Sequence, residues 1–495
     1  MNFPLLTVLV AVPAVGGTLL LTVPALRARA REFALGVALL ELGGVIALLA
    51  GFDRATAGSI QFAETYAWIP QIGTSWALGV NGIGLSMIVL AAILTPLVLL
   101  SGWKTPDAPH KAAQYVGLIL IAQAFMIGIF AARDVLLFYV LFEAMLIPLY
   151  FLIGAFGGEQ RRYAAVKFLI YSLAGGLIML VAVVALYFVG PGGEQAYLID
   201  NLQGLGLDPT AEKLMFLAFF LAFAIKAPMV PVHTWLPTVA ENARAGTTAL
   251  LVAVLDKVGT FGMLTLCLVL FPNAAKWAAP VIIGFAVLSV LYGALVAIGQ
   301  TDMLRLVAFT SVSHFGVMVL GIFAFQQTSI EGAALYMFNH GLSTGALFLM
   351  VGFLAERHGT VSVTGFGGLQ KVAPVLAGTF LVVGLSALSL PGLAPFVSEI
   401  MVLVGAFPVA PVAVIISTLG VVLAALYILL TYQKVFTGPT PSAMEGTAEL
   451  TVRERVVTWP LVGLMLVLGI VPGLALTYLT APSADLVRLI EMVGA

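Results

Sequence analysis

Charged side chains are scarce in this sequence of 495 residues: Asp, Glu, Lys and Arg make up 9% of it, against 61% hydrophobic residues. A water-soluble domain with so few charges would expose large apolar patches and aggregate. The formal net charge is only −1, so the chain has no excess of positive charge with which to bind nucleic acid. The composition therefore places the chain among integral membrane proteins, in direct contact with the lipid bilayer.

Cysteine is almost absent. The single Cys267 lies in an apolar run, so the chain cannot form an internal disulfide. One thiolate is also too few for an iron–sulfur cluster or a thiolate zinc site. We therefore expect no metal centre of these kinds in this chain.

Long apolar runs are abundant instead. They recur along the whole chain and predict an all-α integral membrane protein with about fourteen transmembrane helices. The first run is expected to be a retained span and not a cleaved signal peptide, because no basic segment precedes its apolar core. The predicted spans start near Pro4, Phe33, Leu78, Ala112, Val135, Ala164, Lys213, Gly246, Trp277, Leu304, Ile330, Val372, Pro411 and Val456.

Basic residues are distributed unevenly between the two sides that these spans define. Connections after odd-numbered spans contain 14 Lys and Arg residues, whereas those after even-numbered spans, with the C-terminal tail, contain 5. Basic loops are retained in the cytoplasm, so the odd-numbered connections are predicted to be cytoplasmic. Both termini are then expected to face the outer side of the membrane.

Two predicted spans are interrupted by proline. One runs from 213 to 237 and contains Pro228 and Pro231 just after Lys226; the other reads LPGLAPFVSE and ends in Glu399. Proline removes a helical hydrogen bond, and a broken helix at membrane depth is tolerated only where its freed backbone groups meet protein or water. Paired interrupted spans in corresponding positions are typical of transporters built from inverted repeats.

The spacing of buried groups supports such a repeat. Glu143 lies 83 residues before Lys226, and His314 lies 85 residues before Glu399. Each interval joins an intact helix to a broken one two spans later. We predict N-terminal helices (spans one to three) over 1–111, a first repeat (spans four to eight) over 112–270, a second repeat (spans nine to thirteen) over 271–437, and a final span over 438–495.

Four ionisable residues cannot easily reach a membrane interface: Glu143, Lys226, Lys257 and Glu399. Each unpaired charge at a helix centre costs about 2.5–3.5 kcal/mol or more. Because burial and an opposite charge shift the pKa of a lysine in opposite directions, a buried lysine can change its charge when its partner moves. The residues therefore indicate a proton relay, with static ion pairs that hold helices together as the alternative.

Two histidines, His314 and His340, lie in consecutive apolar spans. An imidazole accepts a proton on one nitrogen and donates from the other, so they could bridge Lys257 to Glu399. Packing within an apolar core is the alternative role for both.

Other titratable residues have open or local roles. His233 lies beside the first break, and Lys167 lies about one turn into its helix, from which it could extend to the interface. For both, relay and structural roles stay open. Glu41 is a weaker candidate, and Asp256 is expected to pair locally. Two further histidines are expected in loops: His110 and His358.

Several stretches resemble the antiporter-like membrane subunits of respiratory complex I, a family shared with Mrp-type cation/proton antiporters and membrane-bound hydrogenases. The resemblance extends from about Arg133 to Phe436. Within the family the chain is most similar to the M type, the counterpart of mitochondrial subunit 4, since the L type would carry a long lateral helix after the last span. The matching stretches are RDVLLFYVLFEAMLIPLY, AAVKFLIYSLAGGLIML, FAIKAPMVPVHTWLP, QTDMLRLVAFTSVSHFGVMVLG, NHGLSTGALFLMVGFLAER and LSLPGLAPFVSEIMVL.

The resemblance implies a proton channel built from two half-channels. Flavin, iron–sulfur clusters and quinone would belong to other membrane and peripheral subunits of the complex, and this chain would contain no cofactor. A multi-pass location in the bacterial inner (plasma) membrane is also implied. The matching residues are Glu143, Lys226 and Lys257 for the input and centre, His314 and His340 for the bridge, and Glu399 for the output.

The sequence departs from the family pattern at three positions. Arg244 stands where proline is usual, Asp256 stands where an apolar residue usually precedes the central lysine, and Leu304 replaces a lysine. Asp256 could hold Lys257 charged and thereby change the conditions under which it releases a proton.

The leading hypothesis is a proton-translocating membrane-arm subunit of an NADH–quinone oxidoreductase, that is, a non-redox subunit of a translocase. A subunit of an Mrp-type Na⁺/H⁺ antiporter is the second, because carboxylates and freed carbonyls at the same breaks could bind Na⁺. A membrane scaffold with inert ion pairs is the third. The residues alone do not separate the first two.

Overall fold

The computed structural model describes residues 3–492, and most of these residues are helical. The α-helices are α1 (Leu5–Thr22), α2 (Ala30–Gly51), α3 (Gly82–Ser101), α4 (Pro109–Ala131), α5 (Val135–Ala144), α6 (Leu146–Phe156), α7 (Arg161–Val189), α8 (Ile199–Leu202), α9 (Pro209–Lys226), α10 (Trp235–Asn242), α11 (Ala245–Leu250), α12 (Lys257–Gly262), α13 (Leu268–Leu270), α14 (Pro272–Ile298), α15 (Met303–Phe323), α16 (Gln327–His358), α17 (Leu369–Val372), α18 (Pro374–Ala387), α19 (Ala394–Ala406), α20 (Pro411–Phe436), α21 (Val452–Ile470) and α22 (Gly473–Met492). The strands are β1 (Gln61–Ile69) and β2 (Thr74–Val80).

Shorter helical segments complete the chain. Two π-helical segments, Leu251–Leu255 and Met263–Cys267, separate α11, α12 and α13. The 3₁₀ helices are Pro24–Arg29, Arg54–Thr56, Pro70–Ile72, Val363–Gly365 and Ser442–Met444.

The helical membrane architecture predicted from the apolar runs is confirmed, but the predicted number of spans is not. Within residues 3–492, 11 helices are long and apolar enough to cross a bilayer, or up to 12 if the bent pair α21 and α22 forms one span. Helix α9 falls outside this number because it carries three charged residues: Glu212, Lys213 and Lys226. The span predicted from Val372 is split into two short helices, α18 and α19.

Both proline interruptions break the helix, as predicted. Helix α9 ends at Lys226, and α10 begins only at Trp235. Protein groups satisfy backbone atoms freed by the break: the indole Nε1 of Trp235 donates to the carbonyl of Ile225 at 2.9 Å, and the hydroxyl of Ser289 accepts from the amide of Val230 at 3.0 Å. The polar backbone of an unwound segment can therefore lie inside this helical bundle.

The second break separates α18 from α19. Gly392 has φ of +92° in this segment, a backbone angle that residues with a side chain rarely adopt. The side-chain amide of Asn339 in α16 donates to the carbonyl of Ala394 at 2.8 Å and so fixes the start of α19. In chain order each broken helix is the fourth span of its group when counting starts at α4 or at α14. This order is compatible with two five-helix repeats. The repeat boundaries and their inverted relation stay predictions.

The helix that carries Lys257 contains two π-helical turns. The amide of Asp256 donates to the carbonyl of Leu251, five residues earlier, at 2.9 Å. A π turn shifts the backbone hydrogen bonds by one residue, and such turns often occur at functional sites. Here the shift leaves the carbonyl of Val252 available to the side chain of Lys257, which donates to it at 2.7 Å.

A β-hairpin occupies much of the connection between α2 and α3. Strands β1 and β2 pair antiparallel. The carboxylate of Asp134, the residue before α5, accepts from the hydroxyl of Thr74 at 3.0 Å and from the amide of Ser75 at 2.9 Å. It also accepts from the amide of Leu137 at 2.9 Å and caps α5, so one buried carboxylate joins the hairpin to the helical bundle.

Candidate functional site

The six predicted relay residues lie on six different helices. Glu143 is on α5, Lys226 ends α9, Lys257 begins α12, His314 is on α15, His340 is on α16 and Glu399 is on α19. Glu143 is half-buried, and the other five have at most 7% of their surface exposed. None of these side chains therefore lies on an outer face of the protein.

Lys257 and His340 are in direct contact. The Nζ of Lys257 lies 2.7 Å from Nδ1 of His340 and 4.8 Å from the centre of the Phe315 ring. The other ring nitrogen of His340, Nε2, lies 3.1 Å from the hydroxyl of Thr344. Since both imidazole nitrogens have partners, His340 can exchange a proton with Lys257 on one side and a hydrogen bond with Thr344 on the other.

His340 is connected to Glu399 through other aromatic groups. The rings of His340 and His314 lie 5.2 Å apart, and the rings of His314 and Tyr336 lie 5.9 Å apart. The hydroxyl of Tyr336 donates to Oε2 of Glu399 at 3.2 Å. A second hydroxyl, that of Tyr427, lies 3.5 Å from Nε2 of His314. A row of neighbouring polar side chains therefore runs from Lys257 to Glu399, with hydrogen bonds at its two ends and ring contacts in its middle. We call it the output line: Lys257, His340, His314, Tyr336 and Glu399.

Lys226 and Glu143 are arranged differently. Within residues 3–492 they form no ion pair at 4.0 Å or less. The nearest polar partner of the Lys226 ammonium is the hydroxyl of Ser172 at 3.5 Å, and the rings of Phe142 and Phe168 lie 5.4 and 4.9 Å away. An ammonium over aromatic faces keeps part of its stabilisation without a carboxylate partner.

Glu143 rests against Gly176 of α7. A Cβ atom added at Gly176 would lie 1.6 Å from Oε1 of Glu143, so a side chain at this position would require the carboxyl group to move. In the described part of the chain this Oε1 has no hydrogen-bond partner. We call the group formed by Glu143, Ser172 and Lys226 the input group.

The predicted local pairing of Asp256 is not observed. Its side chain is 0% exposed, and neither carboxylate oxygen has a hydrogen-bond partner among residues 3–492. The ammonium of Lys257 points instead to Val252 and His340. Asp256 and Lys257 do not pair because adjacent residues on a helix point to different sides.

The other titratable candidates lie in different surroundings. Lys167 donates to the hydroxyl of Thr238 in α10 at 3.0 Å, so it meets the second half of the broken helix. His233 lies 5.1 Å from the ring of Tyr292, in an aromatic environment. Glu41 is 1% exposed on α2 and is distant in sequence from the site. The two histidines expected in loops lie at helix ends instead: His110 in the first turn of α4 and His358 at the end of α16.

Tyr336, Tyr427 and Ser172 were missed by the sequence-based reasoning. In an apolar helix, a tyrosine that packs looks the same as one that carries a hydrogen bond. One signal was available, because Tyr336 precedes His340 by four residues and so shares its helix face. Within residues 3–492, no three His, Cys, Asp or Glu side chains are close enough together to hold a metal ion.

The NADH-quinone oxidoreductase subunit M of Mycobacterium tuberculosis is 45% identical over 95% of this chain and 92% of its own length. The subunit of the same name from Rhodobacter capsulatus is 39% identical over 88% of this chain and 86% of its own.

Solved structures are also similar to this chain. A chain of respiratory complex I from Thermus thermophilus with bound NADH superposes with a TM-score of 0.89 and 31% identity, covering 98% of this chain and 99% of that one. A chain of the Mrp complex from Dietzia sp. DQ12-45-1b shares the fold, with a TM-score of 0.87, 21% identity, and coverage of 99% and 100%.

A family model matches more than half of the chain, residues 132–426. This region contains both broken helices and all six predicted relay residues. Together with the 45% identical relative, the match establishes that the chain belongs to the NADH:quinone oxidoreductase/Mrp antiporter transmembrane family.

Proposed function

We propose that this chain is a proton-translocating subunit in the membrane arm of an NADH–quinone oxidoreductase. The proposal follows from family membership and from the output line, which connects Lys257 with Glu399 through groups that can each accept or donate a proton. We propose that flavin, iron–sulfur clusters and quinone are held by other membrane and peripheral subunits. This chain then moves protons without carrying out redox chemistry itself.

The contact between Lys257 and His340 is the single observation that carries the proposal. At 2.7 Å a charged Lys257 would donate to Nδ1 of a neutral imidazole, and this is the geometry from which a proton can transfer. The imidazole then holds a proton on each nitrogen and can release one toward the neighbouring His314 ring. Tyr336 ends the line by donating to Glu399, the acid nearest to the output.

In this mechanism the charge of Lys226 determines when Lys257 can become charged. Its ammonium lies beside Phe142 and Phe168, where it has no carboxylate partner within 4.0 Å among the described residues. A charge held in this way is sensitive to any nearby change of charge. Deprotonation of Glu143 would favour the charged form of Lys226, and loss of a proton from Lys226 would remove the repulsion that Lys257 meets when it becomes charged.

We further propose that the chain lies in the bacterial inner membrane with both termini on the outer side. The excess of Lys and Arg in the odd-numbered predicted connections supports this orientation. A reporter fused after Ala495 should then be accessible from outside, and a cytoplasmic reporter would contradict the orientation.

Neutral substitutions in the input group test the proposed function. The complete oxidoreductase carrying Glu143→Gln or Lys226→Met should assemble, oxidise NADH and pump fewer protons per NADH in proteoliposomes than the unmodified complex. Lys104→Met, in an exposed loop, is the matched control and should leave the ratio unchanged. An unchanged ratio in both input variants would reject the relay.

The same vesicles distinguish the second candidate. The family includes Mrp antiporters, and the buried carboxyl groups of Glu143 and Glu399 could bind Na⁺. Proton movement that is driven by an imposed Na⁺ gradient, without NADH, would favour an antiporter subunit. Proton movement that requires NADH and is indifferent to Na⁺ would favour the oxidoreductase.

A further inference from the structure

Asp256 is a buried carboxylate that the mechanism above does not use. It is 0% exposed, and in the part of the chain that the structure describes neither oxygen accepts a hydrogen bond. Burying an ionised group without a partner is costly, so such a group is retained where it has a task or where it becomes neutral. The surroundings of Asp256 indicate the task.

Close contacts between α12 and α9 define where Asp256 faces. A Cβ atom at Gly262 would lie 2.4 Å from the ring of Phe223, and one at Gly259 would lie 2.5 Å from the amide nitrogen of Ala227. The two helices therefore run antiparallel with almost no space between them. Asp256 lies one turn before Gly259 on the same helix face, so it faces the end of α9, where Lys226 is located.

Two ammonium groups lie within electrostatic reach of Asp256. One is that of Lys257, its neighbour in the chain, and the other is that of Lys226 across the contact with α9. Glu143 on α5 interacts electrostatically with Lys226, and His340 on α16 contacts Lys257. Neither residue contacts Asp256 by a hydrogen bond. Asp256 therefore stands between the input group and the output line, in the interval where no direct hydrogen bond joins them.

We propose that Asp256 carries the proton between Lys226 and Lys257, an inference that rests on the proposed function. In the first step the Lys226 ammonium loses a proton and the Asp256 carboxylate gains it, which leaves a neutral amine and a neutral acid. In the second step the acid gives this proton to a neutral Lys257, which becomes an ammonium beside His340. The carboxylate is restored, and charge is balanced at each step.

Replacement by the isosteric amide tests this role in the complete, reconstituted oxidoreductase. Asp256→Asn keeps the volume of the side chain but cannot bind and release a proton, so the number of protons pumped per NADH should fall at least twofold. Asp256→Glu keeps an acid and should recover part of this loss. A merely structural role predicts a changed melting temperature with an unchanged pumping ratio, and that result would overturn the inference.

Infrared difference spectra add a readout that does not depend on the pumping ratio. The C=O band of a protonated carboxylic acid should appear or disappear during turnover, vanish in Asp256→Asn and shift in Asp256→Glu. A spectrum that is unchanged in Asp256→Glu overturns the inference even if the Asn variant does not assemble.

Glu143→Gln, measured in parallel, separates two kinds of failure. If it lowers the pumping ratio whereas Asp256→Asn has no effect, the inference about Asp256 is wrong and the proposed function stands. If neither variant lowers the ratio, the proposed function itself is wrong.

Discussion

The input group and the output line both hold titratable groups inside the protein, but they connect these groups differently. In the output line, histidine and tyrosine side chains connect Lys257 to Glu399 through neighbouring rings and hydroxyl groups. In the input group, Lys226 and Glu143 share no direct hydrogen bond, and aromatic rings surround the ammonium. One region is connected, whereas the other consists of charges that interact across a gap.

The difference indicates where regulation is possible. A row of neighbouring groups that each accept and donate a proton can pass one on when its first member is charged. Charges that interact through space respond to their neighbours over several ångströms, because an apolar medium screens them poorly. We infer that coupling to an external event acts on the input group and that the output line conducts what it receives.

Replacing the residue that begins the output line should have the largest effect. Lys257→Met keeps an unbranched side chain of similar length but removes the group that donates to His340 and Val252. Removal of a positioned acid or base typically costs about 10²-fold in rate. We expect a loss of that order in proton translocation, measured as the pH change in proteoliposomes during NADH oxidation.

The assembled amount of the Lys257→Met complex is the control. A scaffold with inert ion pairs predicts poor assembly and normal pumping by the complex that forms. Normal pumping by a fully assembled variant would show that protons do not need Lys257 to pass along the output line. The proposed difference between the two regions would then be wrong.

A hydroxyl deletion should have an intermediate effect on the output line. Tyr336→Phe removes the donor to Glu399, which lies at 3.2 Å, and leaves the ring in place. A hydrogen bond to a charged group contributes about 1.5–3 kcal/mol, and the lower end of this range corresponds to a slowing of pumping by about tenfold. The rate of proton release measured with a pH-sensitive dye checks this.

Tyr427→Phe provides the comparison for Tyr336→Phe. Its hydroxyl contacts His314 at 3.5 Å, near the limit for a hydrogen bond, so we expect a smaller change. Equal effects of the two substitutions would mean that the output line does not run through Tyr336 in particular.

The smallest effect concerns stability. Two arginines each make two hydrogen bonds to one carboxylate. Arg244 binds Asp107 in the connection between α3 and α4, and Arg357, near the end of α16, binds Glu454 in α21. The side chains of the second pair are 11% and 3% exposed, against 24% and 11% in the first. Arg357→Ala should therefore destabilise by about 3–5 kcal/mol, and Arg244→Ala by less. Thermal unfolding in detergent, with Lys104→Ala as control, measures both.

The pH dependence of the first pair sharpens this comparison. Hydrogen bonds from Arg244 lower the pKa of Asp107 below its ordinary value. The stabilisation is therefore complete above the pKa of the unfolded state, about 3.9, and is lost as the pH falls through the lower folded pKa. Asp107→Asn should lower the melting temperature at neutral pH and cease to do so in strong acid. A difference that persists in acid would assign the effect to packing.

Much of the fold is visible in the sequence because hydrocarbon imposes simple rules. Apolar runs predict helices, and prolines predict breaks, so both interrupted spans were found. The hairpin formed by β1 and β2 was not, because its strands alternate irregularly and lie in a polar connection. The predicted number of about fourteen spans is not confirmed, because broken and charged helices, such as α9, fall short of the length or apolarity of a spanning helix.

The sequence identifies the charged residues of the candidate site but not the contacts between its side chains. Lys226, Lys257 and Glu399 stand out because each is costly in an apolar run. Their relay role remains a prediction that the variants above test. The contacts of Tyr336, and the direction in which Asp256 faces, depend on helix packing that no single run of residues encodes.

The π-helical turn Leu251–Leu255 has a consequence for how this chain can vary. A π turn holds one residue more than an α turn, so it behaves as an insertion within the helix. Deleting one residue there would restore a regular helix, in which the carbonyl of Val252 accepts a hydrogen bond from the backbone and not from Lys257. Lys257 would then keep His340 as a partner but lose its second one. Substitutions in this segment alter packing, whereas a change in its length would alter the hydrogen bonds of Lys257 itself.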